Sequence, residues 1–118
     1  MDDAQQFLDL GMRELREGRS KGEQVRVREA SEKIFHALVE ACVALIQKYG
    51  LDPPREYASI RVGLDTKGET DLRKLFDRAY ATLHVLVYNR SWLDYDEIDR
   101  VVGEVSEAVA RIEKSSRR

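Results

Sequence analysis

The chain has 118 residues, 36% of them charged, with 20 basic against 22 acidic side chains and a formal net charge of -2. That length fits one domain, residues 1–118, with a single core that needs no staples, and the near balance of charge excludes binding to a polyanion through bulk charge alone. A lone cysteine, Cys42, excludes an intramolecular disulfide and argues against a cysteine-based zinc site, and no apolar stretch approaches bilayer-spanning length, so a soluble, cytoplasmic protein without membrane attachment, metal or cofactor is expected.

The first predicted helix runs from about Asp3 to Glu17, with Ala4, Leu8, Gly11 and Leu15 in one stripe, Phe7 beside it and Gly18 as its stop. Ser20-Lys21-Gly22-Glu23 has the form of a capping box that opens a second helix reaching Tyr49. Gly50 ends that helix in a left-handed turn, Leu51 folds back on its last turn, and Pro53 blocks continuation. Two adjacent apolar stripes mark it as the central helix: Val27, Ala30, Ile34, Leu38, Ala41 and Leu45, then Phe35, Val39, Cys42, Ile46 and Tyr49. Residues 50–71 are irregular, with a short helix expected from Pro53-Pro54 to about Gly63, capped by Asp52. A further helix is predicted from Asp71 to Arg90, with Leu72, Leu75, Ala79, Leu83 and Leu86 facing the core. Asp94 then caps a last helix, with Glu97 in the box position, Leu93 and Ile98 as a staple, and a seam of Ile98, Val101, Val105, Ala108 and Ile112. Gly103 lies inside this helix, where it would allow a close crossing, and the tail from Ser115 to Arg118 should fray. The expected fold is all-α, an antiparallel up-and-down bundle of four to five helices.

The segment from Ala79 to Tyr88 is apolar around its whole circumference, with His84 embedded in it. On a regular α-helix Ala79, Leu83 and Leu86 enter the core, and Ala81, Val85 and Tyr88 point the other way. That outward face needs a cover, most simply a second copy of the chain, so a homodimer with Ala81, Val85 and Tyr88 at its interface is expected. Burying a residue such as Val85 gains roughly 1.5–3 kcal/mol, whereas association costs about 4–15 kcal/mol. A stable dimer therefore needs further surface, from the second stripe of the long helix or from residues 50–71. The alternative cover is the 50–71 segment of the same chain.

Ala30-Ser31-Glu32-Lys33-Ile34-Phe35-His36-Ala37 opening a long helix, then Leu83-His84-Val85, Tyr88 and Trp92-Leu93, resembles the archaeal PaREP family, small helical proteins related to HEPN domains. The resemblance covers most of the chain. It implies a HEPN-like bundle that dimerises, and an archaeal source; a single asparagine, a single cysteine and two methionines fit a thermophile composition. Some HEPN proteins are metal-independent ribonucleases that gather an arginine and, four to six residues on, a histidine at a dimer cleft. Arg78 and His84 match that spacing, although Ala79 stands where the signature usually has a polar residue. On a regular helix the two lie about 120° apart, so they converge only with help from the partner chain. In such a site the histidine shuttles the proton of a ribose 2′-hydroxyl and the arginine holds phosphoryl charge.

Two functional readings follow: a non-enzymatic interaction or ligand-binding module with an RNA-linked or nucleotidyltransferase-like protein partner, and a metal-independent ribonuclease acting through Arg78 and His84. Tyr80 and Tyr88 either stack a base or pack the interior. Glu32, His36 and Glu40 lie four apart on one helical face and read as spaced surface charges rather than a metal site, because no second helix offers matching ligands. Arg13, Arg16, Arg19, Lys21, Arg26 and Arg28 form a basic cluster diluted by Glu14, Glu17 and Glu23, better read as a salt-bridged helix end than as an RNA surface. Arg117 and Arg118 add charge to the tail. Cys42 reads as a small core residue.

Overall fold

The computed structural model describes residues 2–116, so Arg117 and Arg118 of the expected fraying tail lie outside the described residues. Every regular element among them is helical: α1 (Asp2–Lys21), α2 (Gln24–Lys48), α3 (Tyr57–Thr66), α4 (Thr70–Ala79), a π-helix that continues it (Tyr80–Asn89), and α5 (Tyr95–Ser116). The central helix is α2, which touches all the others. Its two stripes supply Ile34, Phe35, Leu38, Ala41 and Cys42 to the core, all fully buried. Burial pushes the Cys42 thiol up to about 12, with the Glu69 carboxylate adding to the effect, so it is inert at neutral pH. No described helix is long and apolar enough to cross a membrane.

Three helix ends share one hydrogen-bond pattern. Gly22, Gly50 and Gly68 adopt φ of 69°, 86° and 72°, and in each case the next amide reaches back across the last turn, as Leu51 N does to Ile46 O at 3.3 Å. This is the left-handed stop that glycine adopts without steric cost. It corrects the first predicted boundary: α1 stops at Gly22 rather than Gly18. Ser20 is still helical, and Glu23, not Ser20, precedes α2, without a side-chain cap bond. Gly18 has a different task. A methyl there would fall 3.0 Å from Val27 Cγ2 and 3.2 Å from Val27 N, and one at Gly11 would fall 2.9 Å from Ile34 Cγ1. The two glycines let α1 and α2 approach closely.

The short third helix starts later than its prolines suggest. Asp52 and Pro53 each precede a proline and are held extended, so the chain turns helical only after Glu56, at φ -124° and ψ 152°. The cap of α5 matches expectation: Glu97 N donates to Asp94 Oδ1 at 3.3 Å, and all five residues of the predicted seam are buried. Gly103 marks no close crossing, because nothing lies within 4 Å of a Cβ placed there.

The largest departure is the predicted helix from Asp71 to Arg90, which changes from α to π at Tyr80. Through this widened segment burial repeats every fourth residue. Ala79, Leu83 and Val87 are buried in one row; Tyr80, His84 and Tyr88 form the next, half-buried; Ala81, Val85 and Asn89 form the outward row. Leu86 is consequently half-exposed rather than in the core, and Tyr88 stands one row round from Ala81 and Val85. The end of this helix keeps the wider spacing. Ser91, at φ 57°, donates to Val87 O at 3.1 Å and Trp92 N to Leu86 O at 2.9 Å, each one residue further back than at the glycine stops.

The two kinds of glycine predict opposite responses. Gly103→Ala should raise stability by about 1 kcal/mol, by helix propensity alone, and Gly18→Ala should lower it by about 1–3 kcal/mol through overpacking against α2. Urea denaturation of the two variants measures both.

Candidate functional site

The π-helix and α2 meet along one line of side chains whose numbers rise on α2 as they fall on the π-helix. Arg28 donates through Nε and Nη2 to the Tyr88 carbonyl at 3.0 and 2.8 Å. One turn along, Glu32 places its two carboxylate oxygens 2.7 and 3.0 Å from His84 Nδ1. Phe35 then packs on both Tyr80, at 5.9 Å between centroids, and His84, at 5.4 Å. The π-helix spacing produces the ring column itself: Tyr80 lies 5.2 Å from His84, and Tyr88 stacks on the other side at 6.2 Å and 22°. On an α-helix residues four apart step round by about 40° and the three rings would diverge. Tyr57, at the start of α3, closes the group edge-on to His84 at 6.0 Å.

The Glu32–His84 contact defines the chemistry. An ionised carboxylate only accepts, so the imidazole donates from Nδ1 and, when neutral, presents its lone pair at Nε2. Nε2 has no hydrogen-bond partner among the described residues. The His84 and Glu32 side chains are 21% and 17% exposed, so the ring is held yet reachable. His36 Nε2 lies 3.7 Å from the same carboxylate. Burial first, then the charge of Glu32 and that of Tyr80, push the Tyr57 hydroxyl up, which keeps it protonated at neutral pH. Arg61 lies over the Tyr80 ring at 5.1 Å and is bonded to Asp77 at 2.7 Å.

The structure places the two residues singled out by spacing against different partners. His84 faces Glu32 of α2, whereas the Arg78 guanidinium pairs with Glu104 of α5 at 2.5 Å. A single chain does not gather them. Ala81 is exposed, Val85 and Tyr88 are half-buried, and α3 packs on α2 and α4 instead of closing over the Ala81–Val85 row. Sequence reasoning missed Glu32, read there as a surface charge. The available signal was its place four residues after Arg28, in a polar row on an otherwise apolar helix. Among the described residues no group of three or more His, Cys, Asp or Glu side chains has a metal-holding arrangement. Of the basic cluster, Arg19 pairs with Asp99, Arg26 with Glu17, and Arg28 with the Tyr88 carbonyl.

Comparison with known proteins finds no matching family model, no similar curated protein and no similar solved structure. The site therefore stands on its own geometry: a carboxylate-oriented imidazole with one open nitrogen, set in a column of rings.

Heteronuclear NMR of neutral His84 should show the Nδ1–H tautomer in the parent protein. In Glu32→Gln that preference should be lost, because an amide both donates and accepts. An Nε2–H tautomer in the parent would contradict the assignment.

Proposed function

We propose that this chain is a HEPN-like interaction module that acts as a homodimer in the cytoplasm, in an up-and-down arrangement of its helices, with Ala81 and Val85 at the contact and Tyr88 at its margin. The observation that carries this reading is the outward row of the π-helix. Ala81 is exposed, Val85 and Leu86 are only partly buried, and among the described residues α1 and α3 do not pack along the π-helix backbone. Trp92, just beyond, is 42% exposed and enlarges the apolar surface. Scattered apolar residues need no explanation, but a contiguous uncharged row invites association. The family resemblance supports the same reading through the sequence stretches around Ile34 and His84, and an RNA-linked or nucleotidyltransferase-like partner belongs to the same proposal.

Sedimentation equilibrium tests it. The parent protein should be dimeric at micromolar concentration, and Val85→Glu should weaken the dimer by about tenfold or more while leaving helix content unchanged. A parent protein that stays monomeric at tens of micromolar overturns the proposal.

One observation favours a second reading, a metal-independent ribonuclease. Glu32 orients His84 so that Nε2 is the open nitrogen, the arrangement a general base requires. In that reaction Nε2 takes the proton of a ribose 2′-hydroxyl, the 2′-oxygen bonds to phosphorus, and the 5′-oxygen leaves with a proton, giving a 2′,3′-cyclic phosphate. Arg78, released from Glu104, supplies charge from the partner subunit. Cleavage of RNA in excess chelator, lost in His84→Ala, is the expected result. No cleavage, with His84→Ala weakening the dimer instead, leaves the interaction module alone.

A further inference from the structure

A second apolar surface lies on α1, where it borders α2. Phe7 and Leu10 on α1 are 42% and 38% exposed. With Asp3, Gln6 and Glu40 they line a concavity of about 300 Å³ between α1 and α2. Asp3, Phe7 and Leu10 follow the helical spacing of four then three, so they share one face of α1. Among the described residues α1 packs only on α2 and α5.

The lining decides the occupant. Among the described residues its charged lining groups are two carboxylates, Asp3 and Glu40, and neither makes an ion pair there. A nearby carboxylate such as Glu14 is neutralised by Lys33 at 2.7 Å. A two-fold contact of this groove with itself would bring carboxylate against carboxylate around the two phenylalanines, which disfavours a second copy. We propose that the groove between α1 and α2 is a docking site for a cationic amphipathic helix of a partner protein. Its apolar side chains, spaced three and four apart, would sit on Phe7 and Leu10, and its lysine or arginine side chains would meet Asp3 and Glu40. This is the helix-in-groove mode, and it is independent of the dimer contact on the π-helix.

A synthetic helical peptide of leucine and lysine, with a matched leucine–glutamate peptide as control, tests the assignment by fluorescence anisotropy on the full chain. The lysine peptide should bind, more weakly as salt rises, and the glutamate peptide should not. The doubly truncated variant Phe7→Ala/Leu10→Ala alters only exposed side chains and should lose about tenfold or more in affinity. Glu40→Lys should shift preference toward the glutamate peptide. Equal binding of both peptides, or lysine-peptide binding unchanged by truncation and charge reversal, overturns the proposal. So does dissociation of the native oligomer by Phe7→Ala/Leu10→Ala, which would make a second copy the occupant.

Discussion

The carboxylate of Glu32 on Nδ1 of His84 sets the register between α2 and the π-helix. Apart from this pair and Arg28, the seam is apolar or aromatic, and apolar contacts alone tolerate sliding. A hydrogen-bonded polar pair does not, since a shift by one residue would leave the Glu32 carboxylate facing Leu83 or Val85. An unmet, partly buried hydrogen-bonding group costs about 1–3 kcal/mol. The neighbouring clamp of Arg28 on the Tyr88 carbonyl obeys the same register, so two polar contacts one turn apart fix both the offset and the rotation of the pair. Because α2 also touches every other element, this seam places His84 relative to the whole bundle.

The π-helix follows from what that seam asks of the chain. Three rings must lie on one side, facing Arg28, Glu32 and Phe35, while Ala79, Leu83 and Val87 fill the core. Both sets repeat every four residues, a longer period than the about 3.6 of an α-helix, and the widened segment accommodates it. Widening exposes backbone carbonyls that side chains then hold: Arg28 takes Tyr88 O and Asn89 takes His84 O at 3.0 Å. Asn89, the only asparagine in the chain, is thus used to secure the last turn. The hydrogen bonds from Ser91 and Trp92, each reaching one residue further back than at the glycine stops, carry the wider geometry to the helix end.

Much of this architecture was legible. Glycine and proline punctuation located the end of α2, the Asp94 box located the start of α5, and two apolar stripes marked α2 as central, each a local signal with one physical meaning. Gly18 misled because a glycine in a helix reads equally as a stop or as a close approach, and only the position of Val27 separates the two. Asp52 misled as a cap because consecutive prolines hold the residues before them extended. The candidate site was half legible. His84 stood out as the polar residue in an apolar run, but Glu32 did not, since its pairing depends on a 100° rule that fails beyond Ala79. Applying that rule also assigned Leu86 to the core and Tyr88 to the outward face, and both belong elsewhere once the period is four.

The two uncovered surfaces differ in a way that constrains what each can meet. The Ala81–Val85 row carries no charge, so an identical row can approach it about a two-fold axis without electrostatic cost. The Phe7–Leu10 groove is rimmed by Asp3 and Glu40, and its own copy is the least suitable occupant. Apolar area favours both contacts, and charge sorts them: like meets like where the patch is neutral, and only an oppositely charged helix fits where it is acidic. In the proposed arrangement, self-assembly and docking of a partner helix would use separate surfaces, one on the π-helix and one on α1 beside α2. His84, between Tyr80 and Tyr88, lies on the π-helix next to the Ala81–Val85 row, so in the proposed dimer a group reaching its open nitrogen would approach at the edge of the paired π-helices rather than through the acidic groove.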